Sequence, residues 1–193
     1  TGINDINEEI TAIDFRPATG ELYGVSSENN IYVINSTTGK ARAISSTPLS
    51  SSIEGNAVAL DFNPTVDRIR LVTNTGQNLR LHPETGVIVA TDGRINGADV
   101  NIEAVAYTNN FSGSTSTVLY DIDQKTDKLY KQDPPNNGTL VEVGNLGVDI
   151  TAAAGFDISS DGKSALCALQ VNNIWELRQI DLTTGATTKI SDL

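Results

Sequence analysis

The sequence predicts an all-β domain built from four repeats, arranged like the blades of a small β-propeller. Three observations support this prediction: a short motif returns at an offset of about 47 residues, short strand-like segments alternate with turn residues, and no segment keeps a helical periodicity. Repeated four-stranded antiparallel units of this length are typical of propeller blades packed around an axis. A β-sandwich built from the same hairpins is the alternative fold.

The repeat consists of matching residues in one register. Residues 12–17 (AIDFRP) return as residues 59–64 (ALDFNP), and Thr38-Gly39 returns as Thr85-Gly86. A third unit begins near Ala104 and a fourth near Gly155. The predicted units cover residues 10–56, 57–102, 103–149 and 150–193, to within a few residues. Because no linker-like stretch divides them, we expect one repeat-built domain over residues 1–193.

Each unit is predicted to contain four short strands. In the first unit they fall at residues 10–15, 21–26, 31–35 and 40–45, to within a residue or two, because Gly, Asn and Ser-Thr-Thr-Gly turns separate the apolar segments. In the third unit, residues 118–123 should pair with Lys128–Gln132, and Asn137-Gly138 indicates a tight hairpin turn before residues 139–143. We expect five side chains to be buried between the sheets: Ile13, Phe15, Leu60, Phe62 and Phe156.

The charge of the chain argues against several classes of partner. The formal net charge is −11 at pH 7 and the pI is about 4.4, whereas binding to phosphate backbones or anionic membranes needs clustered Lys and Arg. No run of about 18 apolar residues is present to span a bilayer. Abundant Thr, Ser, Asn and Gly, with few Lys and no Met, favour a mature, secreted chain.

Two residues are the candidates for acid–base or thiol chemistry. His82, the one histidine, occupies the position of Asn35 and Asp181 in sister units, so we expect it to bond the backbone of the following turn. Cys167, the one cysteine, lies in an alternating apolar row and is expected to be a buried, inert thiol. We therefore expect no enzyme and no cofactor, with a carboxylate-dependent, glycosidase-like hydrolase as the open alternative.

Recurring carboxylates offer a second kind of site. Asp14, Asp61 and Asp157 stand at one repeat position, where a ring of carboxylates near an axis would suit a cation. The alternative, which we favour, is that each carboxylate accepts hydrogen bonds from loop N–H groups. Calcium stays open as a ligand of two oxygen-rich loops. Their side chains are Asp92, Asn96, Asp99 and Asn101 in one loop, and Asp121, Asp123 and Asp127 in the other.

Two segments are candidates for contacts between subunits. Arg68, Arg70 and Arg80 form the basic cluster of the chain, and either a solvated strand face or a docking patch would explain it. Residues 1–9 precede the first repeat, and a terminal segment of this kind can add as a strand to a neighbour's exposed sheet edge. Its apolar anchors would be Ile3, Ile6 and Ile10. N-glycosylation triplets begin at Asn35, Asn110 and Asn137.

Several segments also resemble a known family. Residues 61–70 (DFNPTVDRIR) and 75–81 (TGQNLRL) are similar to the bacterial family catalogued as domain of unknown function 4394, and so are residues 106–111, 134–140 and 147–149. The resemblance implies a β-propeller-like domain of secreted bacterial proteins and supplies no activity. More loosely, residues 157–163 resemble the strand–turn motif of periplasmic TolB-type propellers.

Together these observations predict a non-enzymatic structural or adhesive module, extracellular or on a bacterial cell surface. The expected partner is a further copy of the chain, or else another surface protein or a glycan. Because donor and acceptor surfaces would differ, self-association through terminal strands would propagate head to tail into a filament. A propeller that binds a small ligand or carbohydrate is the alternative, together with the hydrolase.

Overall fold

A computed structural model describes residues 3–97 and 101–193, which form strands joined by turns and one short 3₁₀ helix, Pro135–Asn137. The strands of the first half are β1 (Ile10–Phe15), β2 (Leu22–Ser26), β3 (Ile31–Ile34), β4 (Ala41–Ala43), β5 (Val58–Asn63), β6 (Arg68–Thr73), β7 (Asn78–Leu81) and β8 (Ile88–Thr91). Those of the second half are β9 (Ile102–Tyr107), β10 (Leu119–Asp123), β11 (Lys128–Gln132), β12 (Leu140–Asn145), β13 (Ala152–Ile158), β14 (Ala165–Val171), β15 (Ile174–Ile180) and β16 (Thr187–Asp192).

The strands form four antiparallel sheets of four strands each, and within each sheet the neighbours in space are the neighbours in sequence. We call these sheets blade 1 (β1–β4), blade 2 (β5–β8), blade 3 (β9–β12) and blade 4 (β13–β16). This arrangement confirms the predicted all-β propeller-like fold. Within the described ranges, no helix is long and apolar enough to cross a membrane.

The blades are stacked in chain order through their first strands. β1 contacts β5, β5 contacts β9, and β9 contacts β13, so these strands line the centre of the array. Hydrophobic clusters fill the space between blades 1 and 2, between blades 2 and 3, and between blades 3 and 4. In the described part of the chain, no comparable cluster joins blade 4 to blade 1.

The open space beside blade 1 explains one wrong prediction. Leu60 and Phe62 are buried as expected, with 6% and 0% of their surfaces exposed, and Phe156 is buried too. Ile13 and Phe15, at the same repeat positions in blade 1, are 55% and 51% exposed. Strand alternation selects the correct face in each blade, but only a neighbouring blade buries that face.

The Thr-Gly turns of the first two units follow the repeat. At the Thr-Gly turn, the Asn35 Oδ1 accepts the N–H groups of Thr37 and Thr38 at 3.0 and 2.9 Å. His82 Nδ1 accepts the N–H of Glu84 at 3.3 Å in the equivalent turn, which confirms the predicted structural role of His82.

Asn137-Gly138 does not form the predicted two-residue hairpin turn. Residues 133–139 connect β11 to β12 through the 3₁₀ helix, and Gly138 follows it with φ +67°. Only glycine fits here, because a Cβ on Gly138 would lie 2.3 Å from the Arg94 carbonyl oxygen of blade 2's last loop. The asparagine–glycine pair therefore serves contact between blades rather than a tight reversal.

Candidate functional site

A cleft of about 590 Å³ opens at the centre of the array and extends between blade 1 and blade 4. The first strands of all four blades line it, and its lining is mostly apolar. Two sheet faces meet the cleft: the open face of blade 1 (Ile13, Phe15 and Leu22) and the open face of blade 4 (Leu166, Ala168 and Leu177). We consider this cleft the candidate functional site.

The open face of blade 1 is set by strand register. Ile13 lies opposite Gly24, and Phe15 lies opposite Leu22, so these side chains share one side of the sheet. Gly24 leaves room for its neighbours, because a Cβ there would lie 2.9 Å from Ile34 Cδ1 and 3.1 Å from Ile10 Cγ2. The result is an apolar surface with two large, half-exposed side chains at its inner edge.

The open face of blade 4 lies on the side of that sheet away from blade 3. Phe156 and Cys167 are cross-strand neighbours and point into the cluster shared with blade 3. Leu166 and Ala168 alternate with Cys167 and therefore point the other way, and Leu177 lies opposite Ala168. Cys167 is buried, as predicted, and burial raises the pKa of its thiol to about 12.

Carboxylates of the first strands connect successive blades at the centre. Asp14 of β1 accepts the Phe62 N–H of β5 at 2.9 Å, and its other oxygen accepts the Phe15 N–H at 2.7 Å. Asp61 of β5 stands at the equivalent position, where the backbone N–H groups of Tyr107 in β9 and of Phe62 act to lower its pKa, but its Oδ1 is buried without a hydrogen-bond partner among the residues that the structure describes. The prediction that these aspartates accept loop N–H groups is therefore wrong for Asp14, because its donors Phe15 and Phe62 lie in strands β1 and β5.

Ionising these carboxylates costs free energy, because they are buried close to one another. Burial, together with the charge of Asp157, raises the pKa of Asp14 to about 7. Burial and the charges of Asp14 and Asp157 raise the pKa of Asp61 well above its usual value. Because the N–H bonds only partly oppose these effects, the centre favours few negative charges at once.

Blades 3 and 4 end the series differently. Blade 3 has Ala106 at the aspartate position, and Glu103 instead accepts the Ala153 N–H of blade 4 at 2.8 Å. Asp157 of blade 4 is exposed, and within the described ranges no donor hydrogen-bonds to it. Asp157 therefore keeps the acceptor of this contact while lacking its donor.

The proposed cation loops have other partners where they are described. Asp92 is bound by Arg70 and Arg80, and Asp123 accepts the N–H groups of Asn101 and Lys125. Asp99 lies outside the described residues. Across residues 3–97 and 101–193, no group of three or more His, Cys, Asp or Glu side chains is placed to hold a metal ion.

The predicted basic patch is only partly a surface feature. Arg70 is 1% exposed, so its assignment to a solvated face or docking patch is wrong. Its guanidinium donates to Asn78 and Asp92 at 2.7 Å and to Asn136 of blade 3 at 2.8 Å. These partners are 8, 22 and 66 residues away, which explains why a local pattern did not reveal the burial.

The other candidates for subunit contacts, and the three glycosylation triplets, lie in or just before blades 1, 2 and 3. Arg80 pairs with Asp92 at 2.7 Å, and Arg68 donates to the Asp67 carbonyl. Exposure differs among the other candidates. Ile3, Asn35 and Asn137 are exposed, whereas Ile6, Ile10 and Asn110 are half-buried.

The segment before β1 lies against its own blade. Asn4 donates its N–H to the Gly39 carbonyl at 2.8 Å and accepts the Ala41 N–H at 3.2 Å, next to β4. Glu8 accepts hydrogen bonds from Ser26, Asn30 and Tyr32. The backbone of Asn4 and the side chain of Glu8 are therefore already hydrogen-bonded within blade 1.

Sequence reasoning missed the open face of blade 4. Leu166, Ala168 and Leu177 belong to strands of ordinary apolar alternation, and nothing local distinguishes them from core residues. The repeat did contain a signal, because Asp157 stands at the position of Asp14 and Asp61. Extending that alignment along the paired strands would have placed Leu166 opposite Asp157, but it would not have shown that this face is open.

Solved structures with similar folds are larger than this chain. TolB from Acinetobacter baumannii matches 96% of the chain at 17% identity and TM-score 0.58, with 44% of TolB covered. Hydrazine synthase from Kuenenia stuttgartiensis matches 99% at 12% identity and TM-score 0.58, with 51% covered. U3-55K matches 98% at 12% identity and TM-score 0.61, with 54% covered.

These likenesses show the fold alone, and the chain spans about half the length of the structures it matches. A search of curated proteins finds no match. One family model covers every residue from 1 to 193. The chain belongs to the family described as Domain of unknown function (DUF4394).

Proposed function

We propose that this chain is a non-enzymatic structural module, placed outside a bacterial cell or on its surface, that associates with further copies of itself head to tail. The observation behind the proposal is the exposure of Ile13 and Phe15. The residues at the equivalent positions of blade 2, Leu60 and Phe62, are buried. Large apolar patches on soluble proteins commonly mark sites of protein association.

The direction of association follows from the two open faces. The open face of blade 1 carries isoleucine and phenylalanine, whereas the open face of blade 4 carries leucines and an alanine, so the faces differ. Contact between unlike faces is heterologous and repeats from copy to copy until it closes or becomes a filament. The Thr-, Ser- and Asn-rich composition supports an extracellular setting for such an assembly.

The proposal differs from the sequence-based one in the surface it uses. Addition of residues 1–9 to a neighbour would first require breaking the bonds of Asn4 and Glu8 to blade 1. The open faces need no such rearrangement. We therefore assign association to the faces rather than to strand exchange.

Sedimentation velocity over a concentration series, followed by negative-stain microscopy, tests this function. We expect residues 1–193 to form species larger than a monomer, and Ile13→Asp to return them to monomers because it places a charge in the contact. Val89→Asp, at another half-exposed apolar side chain on the outer strand β8, is the matched control and should assemble normally. Wild-type chain that stays monomeric at high concentration refutes the proposal.

A carboxylate-dependent hydrolase or glycan-binding site is the second candidate. Its support is the placement of Asp14 and Asp157 in one cleft, because burial raises the pKa of Asp14 to about 7 and a raised carboxyl pKa suits a general acid. We rank it second because both oxygens of Asp14 already accept backbone N–H groups. Glycan hydrolysis by wild-type chain that Asp157→Asn abolishes would reverse this order.

A further inference from the structure

The contact between blades 1 and 2 shows how one blade recognises the next. Tyr23 of blade 1 packs edge-to-face on Phe62 of blade 2, with ring centroids 5.1 Å apart. Asp14, directly opposite Tyr23 in the sheet, accepts the Phe62 N–H. An apolar side chain and its cross-strand aspartate therefore act together on one residue of the following blade.

Blade 4 carries the first half of this contact. Leu166 lies opposite Asp157, as Tyr23 lies opposite Asp14. Ala168 lies opposite Gly155 at the position that Val25 holds opposite Ala12. The open face of blade 4 thus corresponds to the face with which blade 1 contacts blade 2, but its side chains are smaller.

Blade 1 carries the second half. Ile13 and Phe15 occupy the repeat positions of Leu60 and Phe62, the residues that blade 1 covers in blade 2. The Phe15 N–H donates to its own Asp14, but this does not prevent a second acceptor. At the equivalent place in blade 2, the Phe62 N–H donates to Asp14 of the preceding blade at 2.9 Å.

We propose that the open face of blade 4 in one copy docks on the open face of blade 1 in the next, with Asp157 accepting the Phe15 N–H of that copy. This inference rests on the proposed function and names its interface. Leu166 packs on Phe15, as Tyr23 packs on Phe62 within the chain. This interface places the complementary face of a second copy on each open face.

A mixing experiment separates the two halves of the interface. Phe15→Asp disables only the open face of blade 1, and Leu166→Asp disables only the open face of blade 4. Each variant alone should be monomeric by sedimentation velocity, because every contact needs one intact face of each kind. An equimolar mixture should form dimers and nothing larger, since one complementary pair of faces remains.

Asp157→Ala tests the hydrogen bond itself. Its carboxylate has no donor among the described residues, so the variant should fold normally and weaken association about tenfold or more. Asp149→Ala, at an exposed residue away from the cleft, is the matched control and should not change the dissociation constant. Circular dichroism checks folding, and Asp157→Arg replaces Leu166→Asp in the mixture if the latter unfolds.

The outcomes distinguish this interface from the proposed function. Assembly of wild-type chain together with a monomeric mixture, or with normal assembly of Leu166→Asp, overturns the interface and leaves self-association in place. A monomeric wild-type chain overturns both. Dimers that form in the mixture but in neither variant by itself, together with weakened assembly of Asp157→Ala, establish the interface.

Discussion

Asp121 of β10 is a buried carboxyl group without hydrogen-bond partners in the described part of the protein. Its side chain is fully buried between blades 2 and 3, and neither carboxylate oxygen has a hydrogen-bond partner there. Burial raises the pKa of Asp121 to about 8, against the attraction of Arg70 and with the repulsion of Asp123. The folded protein therefore holds a proton on Asp121 over a pH range in which the unfolded chain has lost it.

This difference in proton binding predicts the sign of a pH effect. The unfolded carboxyl ionises near pH 4 and the folded one near pH 8, so the Asp121 contribution to the free energy of unfolding falls as pH rises between these values. The slope is of the order of 1 kcal/mol per pH unit at most. Above about pH 8 the contribution becomes constant.

Asp121→Asn should remove this slope. We expect the variant to gain stability relative to wild type as pH rises from 4 to 8, measured by urea unfolding at each pH. Asp149→Asn, at an exposed position, should follow wild type throughout. A difference between Asp121→Asn and wild type that does not change with pH would contradict the account.

Sequence predicts single residues well where the repeat constrains them and poorly where partners are distant. The turn role of His82 followed from Asn35 and Asp181 in sister units. The burial of Arg70 did not, because arginine is rarely buried without partners, and two of its partners, Tyr107 and Asn136, come from blade 3. The recurrence of aspartates was visible, but their donors on the next blade were not.

At the scale of elements, close contact between blades 3 and 4 depends on a glycine in β12. A Cβ on Gly144 would lie 2.1 Å from the Thr184 carbonyl oxygen in the turn between β15 and β16. This oxygen belongs to the backbone, so relief of the clash requires the strand and the turn to separate. This approach holds the outer part of blade 3 against blade 4.

Gly144→Ala should therefore destabilise the fold by about 1–3 kcal/mol, the usual cost of overpacking, in urea unfolding. Gly155→Ala in β13 is the matched control, since a Cβ there meets nothing within 4 Å and the backbone needs no positive φ. We expect it to leave stability nearly unchanged. Equal effects of the two substitutions would show that the close approach is not limiting.

The existence and pairing of strands were predictable because they depend on local alternation and turns. The first unit was expected at residues 10–15, 21–26, 31–35 and 40–45, and the observed strands differ by one or two residues at their ends. The wrong turn at Asn137-Gly138 reflects a contact with Arg94 in another blade. Local rules do not include such contacts.

Across the whole molecule, successive blades contact one another through their first strands. Between blades 1 and 2, and between blades 3 and 4, an acidic side chain accepts a backbone N–H from the first strand of the following blade. Stability in such arrays comes largely from contacts between neighbouring units. The two faces at the cleft are the units of this pattern that the described chain leaves open.

The open faces at the cleft were not predictable from the sequence, because contacts between blades decide which faces are covered. Strand alternation shows that Phe15 has an inward-facing repeat position, and it does not show whether another blade covers it. The sequence therefore predicts Ile13 and Phe15 in the core, and it predicts association through residues 1–9 with Ile3 and Ile6 as anchors. Only the stacking order of blades reveals which faces remain open.

The most direct test of the account is a disulfide between copies. Phe15→Cys and Leu166→Cys are purified separately, mixed and oxidised with copper phenanthroline; the native Cys167 should not compete, because it is buried and burial raises its pKa to about 12. We predict a covalent dimer in the mixture and none in either variant alone. Absence of that dimer in a mixture that still associates, or equal cross-linking within each variant alone, would contradict the docking of blade 4 on blade 1.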